Sequence, residues 1–215
     1  MLERTDGIVL ERSRRRGDTR ERLLELAERA VLEKGFAATS IDELIAAAGI
    51  TKSGFFYHFR DKSELAKALL LRYLERDETI LDDLFRRAAE LHEDPLHRYL
   101  IGLKLFAEML ADLPDAHPGC LAASYCYQDT LFSQEIRDLN AAGVRAWRDR
   151  FRLQLEEIAR RYPPRLPTDL DVLADMAATL VEGSIIVSRV LRDGAILPKQ
   201  ILAYRDFIRL LFAPA

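Results

Sequence analysis

From residue 18 to residue 212, apolar side chains recur at three- and four-residue spacing and nowhere alternate with polar ones over the length of a strand. That period gathers them on one stripe of an α-helix, whereas a half-buried strand needs period two. The chain is therefore expected to be all-α, and its capping signals divide it finely. Asp18 and Glu21 have capping-box spacing and open a first helix with the stripe Leu23, Leu24, Ala27, Ala30 and Val31. Gly35 is expected to end it as a left-handed cap. Ser40 with Glu43 opens a second helix, inward at Ile41, Leu44, Ile45 and Ala48, and Gly49 stops it. Thr51 caps a third, very short helix ending around Tyr57 to Phe59. Asp61 with Glu64 opens a fourth, running towards Ala89. Later helices are expected near 95–110, 121–128, 134–161, 169–192 and 199–212, punctuated by Pro114, Pro118, Pro163, Pro164, Pro167 and Pro198.

Composition narrows the function classes. The 215 residues, 49% hydrophobic and 31% charged, can bury one large core or two small ones. A net charge of -3 does not announce a nucleic-acid binder, and residues 1–65 balance 12 Lys+Arg against 12 Asp+Glu. Locally, Arg12, Arg14, Arg15 and Arg16 cluster ahead of Asp18, either to track phosphates or as a solvated tail. Cys120 and Cys126 are too few for a disulfide scaffold and read as reduced thiols. The most apolar stretch, Leu173 to Leu191, carries Asp175, Glu182 and Arg189, which argues against a membrane span. Ile8 to Leu10 is too short a run for a secretion signal, so a cytoplasmic location is expected. His92, His97 and His117 are scattered, and no phosphate loop, nucleophile elbow or paired metal-ligand motif occurs. The expectation is a protein that is not an enzyme and holds no metal or cofactor.

Two short helices joined by a glycine turn form a helix-turn-helix, whose second helix enters the DNA major groove with its N-terminal residues towards base edges. Here that helix reads Thr51-Lys52-Ser53-Gly54-Phe55-Phe56-Tyr57-His58-Phe59. Its amino end is small and polar, and its carboxyl end is aromatic. Free backbone N–H groups at the helix starts of Ser40, Thr51 and Lys62 favour phosphate. Lys52 can reach a phosphate or a guanine edge. Gly54 costs a helix roughly 1 kcal/mol against alanine, which points to a close approach to DNA or to a structural need. Phe55 and Phe59 read as core. Tyr57 and His58 have the chemistry for backbone phosphate, although His58 can equally cap or pack.

The frame Gly35-Phe36-x-x-Thr39-Ser40-Ile41-x-x-Leu44-x-x-x-Ala48-Gly49-x-Thr51-Lys52-Ser53-x-Phe55-x-Tyr57-His58-Phe59-x-x-Lys62-x-x-Leu65 resembles the signature of the tetracycline-repressor (TetR/AcrR) family. The resemblance covers residues 18–65. It implies a helix-turn-helix DNA-binding domain with a basic N-terminal arm at 1–65 and a helical ligand-binding and dimerisation domain at 66–215. It further implies a homodimeric repressor that leaves a palindromic double-stranded operator when a small-molecule effector binds. It places Thr39, Ser40, Thr51, Lys52, Ser53, Gly54, Tyr57, His58 and Lys62 at the DNA. Phe56 departs from the family, which commonly has tyrosine there. The arm Arg12 to Arg16 is expected in the minor groove. A protein of the same fold acting through protein partners, without an effector, is the alternative.

The penultimate and last helices are apolar on more than one face, as expected of helices that also pair across a twofold axis. Leu180, Ile185, Val187, Leu191, Tyr204, Ile208 and Leu211 are the expected dimer contacts. An effector pocket is expected from Phe106, Met109, Leu110, Cys120, Tyr125, Tyr127, Phe132, Trp147 and Phe151, with Glu182 as polar anchor and the 114–118 segment at its entrance.

Overall fold

The computed structural model describes the backbone of residues 3–212 and side chains from Asp18 to Phe212. Nine α-helices are found among the described residues, and no strand. They are α1 (Glu3–Ala38), α2 (Ile41–Ala48), α3 (Lys52–His58), α4 (Lys62–Leu91), α5 (Pro95–Ala111), α6 (Leu121–Cys126), α7 (Gln134–Arg161), α8 (Leu170–Leu191) and α9 (Ile196–Phe212), with a single 3-10 turn at Asp129–Leu131. Asp18 lies inside α1 and does not cap it, because Gly17 costs a helix interior only about 1 kcal/mol and does not stop it. Helix α9 starts three residues before Lys199. Pro198 falls in its first turn, where a missing N–H breaks no helical hydrogen bond. The basic arm Arg12 to Arg16 lies outside the residues whose side chains are described.

Two apolar cores are formed. The head core joins Leu23, Leu24, Ala27 and Val31 of α1 to Leu44, Phe55, Phe59 and the first half of α4 through Tyr73. It also takes in Leu121 and Tyr125 of α6, Phe132, and Ile136 of α7. The head therefore does not close at residue 65. A three-helix unit with so short a third helix has too little surface to cover its own stripe, and α6 supplies the missing layer. The body core is built by the second half of α4 with α5, α7, α8 and α9, and α5 packs most extensively against α9. Helix α4 runs through both cores and joins them without a linker.

One face of α8 and α9 lies outside both cores. Ile186, Val187, Val190 and Leu191 on α8, and Phe207 and Leu210 on α9, are exposed, Val190 at 75% and Leu210 at 63%. Of the expected dimer contacts, Val187 and Leu191 belong to this face. Ile185, Tyr204, Ile208 and Leu211 do not: they are buried in the chain's own body core, and Leu180 is half-buried against it. Both helices carry two stripes, and the larger, more regular one turns inward because it covers more apolar area. The outward stripe is the other one.

Candidate nucleic-acid interface

The α2–turn–α3 unit is held by caps. Ser40 Oγ accepts from Glu43 N at 3.1 Å and Thr51 Oγ1 from Gly54 N at 3.1 Å, while Asp61 caps α4 by accepting from Glu64 N at 2.8 Å. Glu43 does not reach back to Ser40. It pairs with Lys34 at 2.6 Å, and that hydrogen bond lowers its pKa. Gly49, at φ 65° and ψ 35°, provides the left-handed turn, its N–H donating to Ala46 O at 3.2 Å. A Cβ on Gly54 would lie 3.3 Å from Thr51 Oγ1, so the cap itself favours glycine there.

The expected DNA residues separate by position. Lys52, Ser53 and Tyr57 are exposed on the outer face of α3, and Ser40 and Thr51 are exposed at helix starts. Gly54 and His58 are half-buried behind them, and the His58 ring meets Tyr57 edge-on. Lys52 lies 3.8 Å from Asp42 in an exposed pair, which phosphate would outcompete at little cost. Phe55 and Phe59 are buried at 0% and 1%, as the aromatic pattern requires.

Two expected residues are turned inward. Thr39 is buried and its hydroxyl donates to Gly35 O at 3.0 Å. Lys62 donates to Phe36 O at 2.8 Å and sits 4.5 Å from the centre of the Phe36 ring, with burial lowering its pKa. Both side chains clamp the α1–α2 turn in this structure, since unsatisfied carbonyls at a helix end attract the nearest donor. Spacing alone could not show this, because the turn carbonyls belong to another element. The exposed side chain that the sequence reading left out of the DNA face is Phe56, at 44%.

The expected pocket residues also divide. Phe106 and Phe151 line a small apolar cleft with Leu103, Ala177, Leu180, Val181, Ile201 and Tyr204, of about 10 Å³, roughly the space of one water. Leu110 is buried beside it, with Met109 and Trp147 packed against the same core. Tyr125 and Phe132 are corrected to the head core, where they stack at 4.2 Å, and the Tyr125 hydroxyl donates to Ala66 O at 2.8 Å. Tyr127 is 77% exposed, beyond the end of α6. The reason is the shortness of α6: Leu121 and Tyr125, four residues apart, are its one inward stripe, and that stripe meets the head.

Between head and body lies a polar junction. Glu28 of α1 accepts from Arg72 at 2.7 Å and from Arg76 at 2.6 Å. Nearby on α4, burial and then the Glu28 charge push Asp77 up to about 6, against the pull of Arg76. Arg189 of α8 donates to Pro118 O at 2.7 Å, and its guanidinium lies 3.5 Å from Leu32 O of α1. Cys120 is held at about 11 by burial and the nearby Glu182 carboxylate, so its thiol is neutral at physiological pH. Burial and the charges of Arg76 and Arg189 push His117 down.

A capped helix-turn-helix whose second helix presents a polar and aromatic outer face, carried on an all-helical body, defines a helix-turn-helix transcriptional regulator. The family model described as "Bacterial regulatory proteins, tetR family" matches residues 23–69. The chain is 31% identical over 160 residues to the probable HTH-type regulator ArpR of Pseudomonas putida, covering 72% of this chain and 71% of that one. It is 31% identical over 159 residues to the HTH-type regulator TtgR, also of P. putida, with the same shares, 72% and 71%. The fold is shared with a TetR-family regulator from Agrobacterium tumefaciens, at a TM-score of 0.75 and 20% identity over 92% of this chain and 100% of that chain. A TetR regulator from Chloroflexus aurantiacus gives 0.75 at 23% identity, covering 92% and 98%. The chain belongs to the TetR family. No described helix is long and apolar enough to cross a membrane.

Proposed function

We propose that this regulator is a repressor that binds a palindromic operator as a homodimer and is released by a small molecule held in the body. The observation that carries the reading is the outer face of α3. Lys52, Ser53, Phe56 and Tyr57 project from a helix whose other side is locked in the head core, beside the capped starts of α2 and α3. Such a helix fits the major groove, with the neighbouring N–H groups near phosphate. The apolar outer face of α8 and α9 suits an isologous dimer, and a dimer doubles phosphate contacts on a head with no bulk basicity. The cleft by Phe106 and Phe151, of about 10 Å³, would admit an effector only by widening, which gives the effector a differential affinity for two body conformations.

The test is fluorescence anisotropy with duplexes selected by the full-length protein from a random-sequence pool. Two protomers should bind each palindrome, and log K should fall linearly with log salt. A thermal-shift screen of small molecules should find compounds that raise Tm and weaken that binding. Failure to select any duplex would sink the DNA reading. Compounds that stabilise the protein without changing its DNA affinity would sink the release mechanism, leaving a regulator acting through protein partners.

A further inference from the structure

The recognition helix carries a side chain that cannot make the polar contact expected of its neighbours. At about 100° per residue, Lys52, Ser53, Phe56 and Tyr57 fall within an arc of about 140°, with Phe56 between Lys52 and Ser53 in projection. Phe55, on the other side of α3, and Phe59, just past its end, are buried in the head core. Phe56 is 44% exposed, and its ring approaches Phe55 edge-on at 5.5 Å. It is thus an aromatic ring held outward by a rigid helix, on the face that the proposed function places in the groove. A phenylalanine can neither donate to phosphate nor read a donor or acceptor on a base edge. The one apolar group that a base pair displays in the major groove is the thymine 5-methyl.

We infer that Phe56 is a specificity-determining residue that reads a thymine methyl in each operator half-site. The inference rests on the proposed function, because it needs α3 in the major groove. Lys52, one turn before Phe56 and 69% exposed at its side chain, brings the helix down by phosphate or guanine contact. Ser53, also exposed, is small enough to let the helix approach. Phe56 then meets the bases one turn further along the helix, and a ring there excludes water from the methyl it covers. Burying one methyl corresponds to about fourfold in affinity per half-site, and roughly fifteenfold for a symmetric pair.

The experiment replaces each thymine of the selected duplex, one symmetric pair at a time, by deoxyuridine, which lacks only the methyl. Affinity is measured for the full-length wild type and for Phe56→Ala, whose folding is checked by Tm and circular dichroism. One symmetric replacement should weaken the wild type by roughly five- to fifteenfold and leave Phe56→Ala nearly unchanged. Phe56→Leu, still apolar, should retain part of the methyl sensitivity. If no replacement weakens the wild type more than it weakens Phe56→Ala, Phe56 does not read a methyl and the inference is overturned. If deoxyuridine replacement is silent in the wild type as well, the inference is overturned without any variant. If the wild type selects no duplex at all, the proposed function has failed first and this inference falls with it.

Discussion

At the scale of single residues, burial decides what a polar group does. Tyr204 donates to Leu173 O at 2.9 Å, and Tyr99 lies 3.2 Å from the Tyr204 hydroxyl, both rings fully enclosed. Tyr204→Phe strands the Tyr99 hydroxyl and should cost about 1–3 kcal/mol in urea denaturation, while Tyr99→Phe, which leaves the Leu173 bond in place, should cost less. Asp77 works in the opposite sense. Its folded pKa, about 6, lies above the ordinary carboxylate value of 3.8, so the folded state prefers the proton. That preference stabilises fully below about pH 4 and is lost as pH rises through about 6. Asp77→Asn should therefore be more stable than the wild type at pH 7.5 by about 1–3 kcal/mol, with the difference vanishing towards pH 4. A difference independent of pH would show that the gain has another source.

At the scale of elements, two glycines that interrupt helices do different jobs, Gly49 at the end of α2 and Gly35 at a kink three residues before the end of α1. Gly49 adopts the left-handed conformation with open space where a Cβ would stand. Gly49→Ala should cost only the conformational term, about 1 kcal/mol. Gly35 sits at φ 84° and ψ 160°, a region that glycine alone occupies readily, and a Cβ there would run into the Gln128 side chain. Gln128 also accepts from Ala37 N at 3.0 Å, so the segment after α6 is fitted into the turn before α2. Gly35→Ala should cost distinctly more than Gly49→Ala, about 2–4 kcal/mol, adding a clash to the strain. Thermal denaturation of the two variants in parallel checks the order. Equal losses would mean that Gln128 simply swings away. Gly49 was legible as the left-handed stop of α2, whereas Gly35, expected to end the first helix in the same way, kinks α1 with extended ψ and the helix resumes to Ala38. The Gln128 contact was not legible, because it joins residues 91 apart in sequence.

For the whole molecule, the question is what covers the outer face of α8 and α9. Val190→Asp with Leu210→Asp places like charges on an apolar surface that lies exposed among the described residues. The variant should keep its helical circular dichroism, become monomeric by light scattering, and lose at least about tenfold in affinity for the selected duplex. A dimer that survives would put the twofold interface elsewhere. The cost to the monomer itself should be small, since exposed substitutions lying away from caps and cores usually change stability by less than about 0.5 kcal/mol.

Periodicity and capping chemistry are local, and they were enough to read the all-helical class, the boundaries of α2, α3 and α7 to within a residue or two, and the aromatic pair Phe55 and Phe59 as core. The helix-turn-helix frame was legible for the same reason: caps, glycine stops and stripes act within a few residues of one another. What a second element decides was not legible. That Lys62 and Thr39 donate to carbonyls of the α1–α2 turn was set by that turn and not by their own spacing. Tyr125 and Phe132 looked like pocket walls until α6 closed the head. On α8 and α9 the sequence showed two apolar stripes, and only packing against α5 and α7 determined which became core and which stayed exposed. A stripe announces that a face will be buried, but its partner is chosen by the fit and area of surfaces brought together from distant parts of the chain.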